Sequence, residues 1–239
     1  MHESARAQLS PDFQALFAPG VVAAALHGRG DVTQLLPAEA DSLGRAAPQR
    51  AAEYAAGREC ARLALAHLGI TGFAVLPAPD RRPVWPAGVV GSITHTRGLC
   101  AAVVAPRNVF RGLGVDTEII GNVHADLWPR ICVPAEISWL ESLPLAHRAA
   151  AAALVFAAKE AFYKGQSPLT DEWLKFADLA VQVTDFELAA GLTAPAVFQI
   201  IPMRPLRLAG IVNPPYFGRF RLSAEAVSAG VAFSSDSPD

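Results

Sequence analysis

Two long helix-forming segments, each flanked by strand-like segments, set the strongest limit on how this chain can fold. The segment PQRAAEYAAGRECARLALAHLG starts at Pro48, is rich in helix formers and stops at Gly69. The segment LAHRAAAAALVFAAKEAFYKG, residues 145–165, reads as a second helix closed by Gly165. Because strand-like segments accompany each helix, the sequence predicts an α+β fold in two halves. The halves are predicted at residues 1–115 and 116–230, with a flexible tail at residues 231–239.

Most of the remaining segments are predicted to be strands separated by turns. With 239 residues and 52% hydrophobic residues, the chain is long and apolar enough to bury a substantial core. The stretch PAPDRRPVWPAG holds four prolines and is predicted to be a loop or an extended edge. Strands are predicted at residues 21–26, 89–96, 99–105, 110–118, 179–188, 196–202 and 206–212, and a further short helix at residues 135–144.

The charge balance and the cysteines restrict the kind of partner and compartment. The chain has 20 basic and 22 acidic residues and a net charge of −2, so it lacks the basic excess typical of a nucleic-acid binder. Cys60, Cys100 and Cys132 stand far apart with no CxxC pair, which favours reduced, buried thiols over disulfides or structural zinc. The longest apolar run, residues 149–158, is too short to span a membrane, and the first residues lack a secretory signal. A soluble, cytoplasmic protein is expected.

The stretch GLGVDTE places two carboxylates where they need a partner. In a strand, Asp116 and Glu118 share one face, and at about 4 Å two such charges repel by about 4 kcal/mol at an effective dielectric near 20. A third carboxylate, Glu160, lies in the predicted second helix. Hard divalent cations take oxygen ligands of this kind, and Mg²⁺ is typically held by one or two carboxylates together with substrate phosphates. These three residues are therefore candidate metal ligands.

Basic residues on the two predicted helices are candidate phosphate contacts. Arg58 and Arg62 are four residues apart, so both side chains leave one helix face and can bind a phosphate together. The alternative is a solvated face on which Glu59 pairs with Arg62. Lys164 follows Glu160 by four residues, the favourable order for an ion pair, and an ordinary amphipathic helix explains that pattern equally well.

The Pro-rich stretch and the strand after it add further polar candidates. Arg81 precedes Arg82 and Pro83. The stretch GSITHT that follows contains hydroxyl side chains and one imidazole. Hydroxyls and a histidine at a strand end can hydrogen-bond phosphate oxygens, although a structural hydrogen-bonding histidine is the common alternative. The candidates in this strand are Ser92, Thr94 and His95.

Taken together, the carboxylates and the cations suit metal-assisted transfer at a pyrophosphate. The sequence contains neither GxxxxGK[ST] nor GxGxxG, so a P-loop or Rossmann fingerprint does not account for them.

Four motifs in this order, AGRECARLAL, RRPVWPAGVVGSITHT, GLGVDTE and FAAKEAFYK, resemble the 4′-phosphopantetheinyl transferases, in particular the bacterial siderophore-synthetase type. They run from Ala56 to Lys164, about the middle half of the chain. The resemblance implies two similar α/β halves in a pseudo-dimeric arrangement, with coenzyme A and Mg²⁺ (or Mn²⁺) held between them. It also implies transfer of phosphopantetheine from coenzyme A to a serine of an apo acyl or peptidyl carrier protein, with release of adenosine 3′,5′-bisphosphate. A monomer is expected.

The resemblance assigns a role to each matching residue. Asp116, Glu118 and Glu160 correspond to the metal ligands, and Glu160 also to the base that takes the serine proton. Lys164 corresponds to the cation that steadies the pyrophosphate or protonates the leaving phosphate, and Lys159 belongs to the same catalytic motif. The coenzyme contacts correspond to Arg58, Arg62, Arg81, Ser92, Thr94, His95 and Lys164. Arg82 competes with Arg81 for the basic position in the loop.

Two other functions remain open from the sequence. Another Mg²⁺-dependent phosphoryl or nucleotidyl transferase accounts for the carboxylates, but it does not predict the GRECAR and GSITH motifs. A non-catalytic homologue that only binds coenzyme A or a carrier protein has no need of Glu160 and Lys164 together.

Overall fold

Two antiparallel sheets, each packed against one long helix, make up the structure. A computed structural model describes residues 5–184, 186 and 194–235 of the chain. The first half comprises β1 (Gln8–Leu9), α1 (Pro11–Gln14), β2 (Val22–His27), α2 (Pro37–Leu43), α3 (Pro48–His67), β3 (Val89–Thr96) and β4 (Leu99–Pro106). The second half comprises β5 (Phe110–Ile119), α4 (Trp128–Ile131), α5 (Pro134–Ser142), α6 (Leu145–Thr170), β6 (Leu179–Val183), β7 (Ala196–Pro202), β8 (Tyr216–Leu222) and β9 (Ala226–Ser234). Short 3₁₀ turns lie at Val32–Gln34, Ala125–Leu127, Phe176–Asp178 and Arg207–Gly210.

Both halves repeat one arrangement of strand, helix and hairpin. In the first sheet, of order β1-β2-β4-β3, α3 follows β2 and the β3–β4 hairpin pairs with β2 through β4. In the second sheet, of order β5-β9-β8-β7-β6, α6 follows β5 and the β8–β9 hairpin pairs with β5 through β9. The α+β prediction is therefore confirmed, and the shared topology gives the two halves their similarity.

Each long helix covers one face of its own sheet, and a third core lies between the halves. Leu26, Leu65 and Val104 belong to the core under α3, while Phe162 and Phe220 belong to the core under α6. The other face of the first sheet packs against β5 through residues that include Val103, Leu113 and Val115. Strand β5 therefore belongs to the second sheet and also contacts the first half.

Helix α6 crosses β5 at very short range because glycines line the crossing. A Cβ on Gly114 would overlap the Ala161 carbonyl, and a Cβ on Gly112 would press against the carbonyl of Gly165. On the helix side, a Cβ on Gly165 would lie 2.9 Å from the Phe233 ring. The expectation that glycines in this strand permit close backbone approach is confirmed. The crossing brings the carboxylates of β5 next to the polar face of α6.

The structure differs from the sequence-based boundaries at four places. Helix α6 continues past Gly165 to Thr170, because Gly165 serves the crossing with β5 and the helix ends where Asp171 is left-handed, with φ 49°. Residues 206–212 form no strand; a 3₁₀ turn occupies Arg207–Gly210. The last strand, β9, runs through Ser234, into the segment predicted as a tail. The predicted boundary between residues 115 and 116 falls inside β5.

The strand prediction for the region after α6 was incomplete. The predicted strand at residues 179–188 is observed as β6, Leu179–Val183, and its later part reaches residues outside the described ones. Strands β8 and β9 were not predicted, because Gly218 and Gly230 interrupt their apolar alternation. No helix in the described part of the chain is both long and apolar enough to cross a membrane.

Candidate active site

Asp116 and Lys164 meet where α6 crosses β5. Lys164 Nζ donates to Asp116 Oδ1 at 2.6 Å and to the carbonyl oxygen of Val115 at 3.2 Å. Asp116 is 6% exposed, so this ion pair is shielded from water on the carboxylate side. Among the described residues, the second oxygen, Asp116 Oδ2, is buried and has no hydrogen-bond partner.

Glu160 lies within the electrostatic influence of the other two predicted metal ligands. Burial raises the pKa of Glu160; the Lys164 ammonium opposes this shift, and the negative charges of Asp116 and Glu118 add to it. Glu118 Oε1 accepts hydrogen bonds from its neighbour Ile119 N and from Asn122 Nδ2, both at 2.8 Å. The side chain of the intervening residue, Thr117, turns the other way and lies 3.0 Å from Ser228 Oγ. The fold thus places Asp116, Glu118 and Glu160 in one electrostatic neighbourhood.

The donors at this crossing fit a divalent cation in kind and in charge. They are carboxylates, as Mg²⁺ and Mn²⁺ prefer, and Asp116 offers a buried oxygen that no described group satisfies. Within the described residues, however, no group of three or more His, Cys, Asp or Glu side chains lies close enough together to hold a metal ion. One oxygen of Glu118, Oε1, already accepts from Asn122 and from the Ile119 N–H.

His95 lies beside an arginine that the sequence interpretation passed over. Arg50 Nη1 lies 3.3 Å from His95 Nε2, and Glu53 Oε2 lies 3.7 Å from the same nitrogen. Partial burial lowers the pKa of His95, and the charges of Arg50 and Lys164 lower it further, whereas Glu53 and Asp116 oppose the shift. Arg50 lies in the first turn of α3, and its spacing along the helix does not reveal that it meets His95 of β3.

The two helical arginines that were predicted as coenzyme contacts have partners within the protein. Arg62 forms an ion pair with Glu39, which is fully buried, and donates to the Gln34 carbonyl at 2.7 Å. Arg58, 9% exposed, donates from Nε to the Val75 carbonyl at 3.0 Å and stacks on the Tyr54 ring at 3.7 Å. Burial lowers the pKa of Arg58. The prediction that these two side chains jointly bind a phosphate is not supported, because their guanidinium groups hold α2 and the Val75 segment instead.

The alternative for Arg62, an ion pair with Glu59 on a solvated helix face, is also wrong, because Glu59 has other partners. Glu59 Oε1 accepts from the backbone N–H of Ala7 at 3.0 Å and lies 3.9 Å from Arg6 Nη1. Arg62 pairs with Glu39, which lies on another helix and is invisible to spacing arguments along α3.

The two loop arginines differ in their contacts within the protein. Arg82 is bound on three sides: it pairs with Asp80 and donates at 2.8 Å both to the Ser167 carbonyl and to Asp171 Oδ1. Arg81 has a left-handed backbone, φ 70°, and its exposed side chain makes no hydrogen bond or ion pair with the described residues. Arg81 is therefore the side chain available to a ligand.

Ser92 and Thr94, also predicted as coenzyme contacts, are buried between the halves. Ser92 Oγ accepts from the Val115 N–H at 3.1 Å, and Thr94 Oγ1 accepts from the Thr117 N–H at 2.9 Å. Because each hydroxyl accepts a backbone N–H of β5, the two residues connect the two sheets.

Lys159, predicted as part of the catalytic set, is 1% exposed, and its ammonium group has three hydrogen-bond partners within the protein. Its Nζ donates to Glu136 Oε2 at 2.7 Å, to the Ile131 carbonyl at 2.9 Å and to the Phe176 carbonyl at 3.1 Å. Successive helix positions differ by about 100°, so Glu160 and Lys164 share a face that Lys159 does not. In this structure the Lys159 ammonium ties α4, α5 and the Phe176 turn to α6, and its catalytic assignment stays a prediction.

Two cavities flank α6 at this point. One, of about 500 Å³, reaches Glu160 and is otherwise mostly apolar, with Tyr163, Trp173, Leu174 and Phe176 in its wall. The other, of about 230 Å³, reaches Lys164 and is lined by Arg81 and Trp85. Tyr163 borders both cavities. Both cavities contain cations, Arg130 and Lys175 in the larger one and Arg81 and Lys164 in the smaller one, and the polar face of α6 lies between them.

Comparisons with known proteins agree with this arrangement. Residues 38–105 match the family described as 4′-phosphopantetheinyl transferase N-terminal domain, and residues 112–193 match the 4′-phosphopantetheinyl transferase superfamily. The 4′-phosphopantetheinyl transferase Npt of Nocardia iowensis is 37% identical over 155 residues, 65% of this chain and 68% of that protein. The 4′-phosphopantetheinyl transferase Svp of Streptomyces mobaraensis is 39% identical over 170 residues, 69% of this chain and 68% of that protein. Enterobactin synthase component D of Escherichia coli (strain K12) is 37% identical over 133 residues, 54% of this chain and 61% of that protein.

The two matched regions meet between residues 105 and 112, just before β5 begins. The chain belongs to the 4′-phosphopantetheinyl transferase superfamily. It is a holo-carrier-protein synthase, an enzyme that transfers phosphopantetheine from coenzyme A to a carrier protein.

Proposed function

We propose that this transferase uses Mg²⁺ to move the 4′-phosphopantetheine group of coenzyme A onto a serine of an apo acyl or peptidyl carrier protein, releasing adenosine 3′,5′-bisphosphate. The observation that carries the proposal is the crossing of α6 over β5, where Asp116, Glu160 and Lys164 meet. A carboxylate base, a buried carboxylate oxygen without a partner and an ammonium group are the parts that transfer at a pyrophosphate requires.

Coenzyme A is bound, in this proposal, through its phosphates on one side and its pantetheine arm on the other. Arg50, near the start of α3, lies beside the His95 imidazole, and Arg81 offers a guanidinium beside Lys164 in the smaller cavity. Cations of this kind suit phosphate oxygens. The 500 Å³ cavity next to Glu160 has the size and apolar wall that a ligand such as the pantetheine arm needs.

Glu160 takes the proton of the carrier serine. Burial raises the pKa of Glu160 and the charges of Asp116 and Glu118 add to this shift, while the Lys164 ammonium opposes it. A carboxylate within reach of the serine hydroxyl can accept its proton. As the serine oxygen forms its bond to the β-phosphorus, the bond from that phosphorus to the oxygen bridging to the adenosine phosphate breaks. The electron pair leaves with adenosine 3′,5′-bisphosphate, and the serine proton stays on Glu160.

Lys164 and a cation held by the carboxylates would stabilise the negative charge that grows on the leaving phosphate. Lys164, held by Asp116 and the Val115 carbonyl, lies at the smaller cavity and can steady the leaving phosphate. Asp116, Glu118 and Glu160 would hold Mg²⁺, or Mn²⁺ in its place. When bound, the cation neutralises charge on the pyrophosphate oxygens.

A cytoplasmic location goes with this proposal. Cys60, Cys100 and Cys132 are buried and unpaired, as expected in a reducing compartment.

The test is to identify both products and their metal requirement. The purified protein is incubated with coenzyme A and an apo carrier protein, with Mg²⁺ or with EDTA, and the nucleotide product is identified by chromatography. We expect adenosine 3′,5′-bisphosphate to appear in equal amount with modified carrier, to stop with EDTA and to resume with excess Mg²⁺. Turnover that survives thorough chelation, or a different nucleotide product, would contradict the proposal.

A further inference from the structure

Two hydroxyl side chains of β3, two residues apart, each accept a hydrogen bond from the backbone of β5. Ser92 Oγ receives the Val115 N–H and Thr94 Oγ1 receives the Thr117 N–H, so each satisfies one backbone donor of β5. Both side chains are almost fully buried, at 4% and 0% exposure. Ser92 and Thr94 therefore make equivalent contacts at the interface between the two halves.

Thr94 differs from Ser92 in one further contact. Its hydroxyl lies 3.2 Å from Asp116 Oδ1. A hydroxyl has one proton to donate, and since Thr94 accepts from Thr117, its proton is free to go to Asp116. Lys164 donates to the same oxygen at 2.6 Å. Asp116 Oδ1 therefore has two donors, while Oδ2 has none among the described residues.

We infer that Thr94 is a positioning residue for the metal site. With Oδ1 bound to Thr94 on β3 and Lys164 on α6, the carboxyl group cannot rotate without breaking a buried hydrogen bond. This fixes Oδ2 as the oxygen that Asp116 presents to a divalent cation, and it makes metal affinity depend on a residue of the other half. The inference rests on the proposed function, because it takes Asp116 as a metal ligand.

The experiment measures Mn²⁺ binding directly, by calorimetry or electron paramagnetic resonance, with coenzyme A present and no carrier protein. Four proteins are compared: wild type, Thr94→Val, Thr94→Ser and Ser92→Ala. We expect Thr94→Val to weaken Mn²⁺ binding about 10-fold or more, the usual effect of losing a group that orients a metal ligand. Thr94→Ser keeps the hydroxyl and should stay within about 2-fold of wild type.

Ser92→Ala is the matched control. It deprives the Val115 N–H of its acceptor, as Thr94→Val deprives the Thr117 N–H, so both should lower the unfolding midpoint. Only Thr94→Val should also weaken Mn²⁺ binding. Circular dichroism checks folding at the titration temperature, and Thr94→Ala replaces Thr94→Val if the valine variant does not fold.

Two results would overturn the inference: wild-type Mn²⁺ affinity in folded Thr94→Val, or an equal loss of affinity in Ser92→Ala. An Asp116→Asn variant separates this from a failure of the proposed function. If Asp116→Asn binds Mn²⁺ as tightly as wild type, the metal site itself lies elsewhere. If Asp116→Asn loses binding and Thr94→Val does not, only the part assigned to Thr94 is wrong.

Discussion

At the residue scale, the charged side chains of the site differ in the hydrogen bonds and ion pairs that they already form within the protein. Asp116 commits one oxygen to Lys164 and leaves the other without a partner among the described residues. Arg62 has a buried carboxylate as its partner, whereas Arg81 has none among the described residues. Arg81 is therefore more readily available to a ligand than Arg62.

Arg50 is a proposed coenzyme contact and Arg62 has a structural ion pair, so the two arginines can be compared directly. Arg50→Ala should raise the KM for coenzyme A about 10-fold or more, because a charge-assisted hydrogen bond contributes about 1.5–3 kcal/mol. Arg62→Ala should leave that KM nearly unchanged and lower the free energy of unfolding by about 3 kcal/mol, since it leaves Glu39 buried without its counter-ion. Steady-state kinetics and urea unfolding check both. An unchanged KM in Arg50→Ala would remove Arg50 from the binding site.

The buried thiols predict a loss of stability in alkali. Burial raises the pKa of Cys100 to about 12 and that of Cys132 to about 11, and it also raises the pKa of Cys60. In the unfolded chain a thiol ionises at about pH 8.5. Because the folded pKa lies above the unfolded one, this contribution to stability is complete below about pH 8.5 and is lost as pH rises toward 11–12.

Urea unfolding at pH 7.5 and at pH 10 checks the thiol prediction. We expect a lower free energy of unfolding at pH 10, and a smaller difference in a Cys100→Ala, Cys132→Ala double variant. Equal stability at both pH values in wild type would contradict the raised thiol pKa values.

Spacing along one element revealed which residues share a face, but not what that face meets. The pair Glu160 and Lys164 was placed correctly on one face of α6, because both residues belong to one helix. Arg58 and Arg62 were also placed on one helix, yet their partners, Val75 and Glu39, come from segments that the sequence does not link to α3. Ser92 and Thr94 face a strand of the other half for the same reason.

At the element scale, the crossing of α6 over β5 is what assembles the site. Three glycines permit the contact, and Asp116 follows two residues after Gly114. The glycines were visible in the sequence as a sign of close approach. The extension of α6 beyond Gly165 was not, since a glycine that normally ends a helix is used here for packing.

Gly114→Ala should test the crossing. Its Cβ would overlap backbone atoms of Ala161, so the helix must move, and we expect the free energy of unfolding to fall by about 1–3 kcal/mol with a marked loss of activity. Gly210→Ala is the control, because nothing lies within 4 Å of a Cβ there; it should change stability by less than about 0.5 kcal/mol. Full activity in Gly114→Ala would show that the close crossing is not required.

Lys159 should matter for stability through its buried ion pair. Lys159→Met leaves Glu136 buried and unpaired, so we expect a loss of about 3–5 kcal/mol in urea unfolding. The double variant Lys159→Met, Glu136→Gln contains no unpaired buried charge and should lose less. A single variant as stable as wild type, or a double variant no better than the single one, would contradict this description of Lys159.

At the scale of the whole molecule, the two halves share one topology and the site lies where they join. Strand β5 belongs to the second sheet, yet its N–H groups are bound by hydroxyls of the first half. The sequence predicted two α+β halves because each long helix is accompanied by strands. It could not show their common topology, since strand pairing depends on contacts far apart in sequence and β8 and β9 were hidden by their glycines.

The most direct test of the account is the intact mass of an apo carrier protein after incubation with this enzyme, coenzyme A and Mg²⁺. We predict that the carrier gains the mass of one phosphopantetheine group on a serine, and that Glu160→Gln slows this gain about 100-fold or more, as expected for loss of a general base. Glu141→Gln, an exposed position on α5, should behave as wild type. No mass gain on any of several apo carriers, or an undiminished rate in Glu160→Gln, would contradict the assignment of transfer to this site.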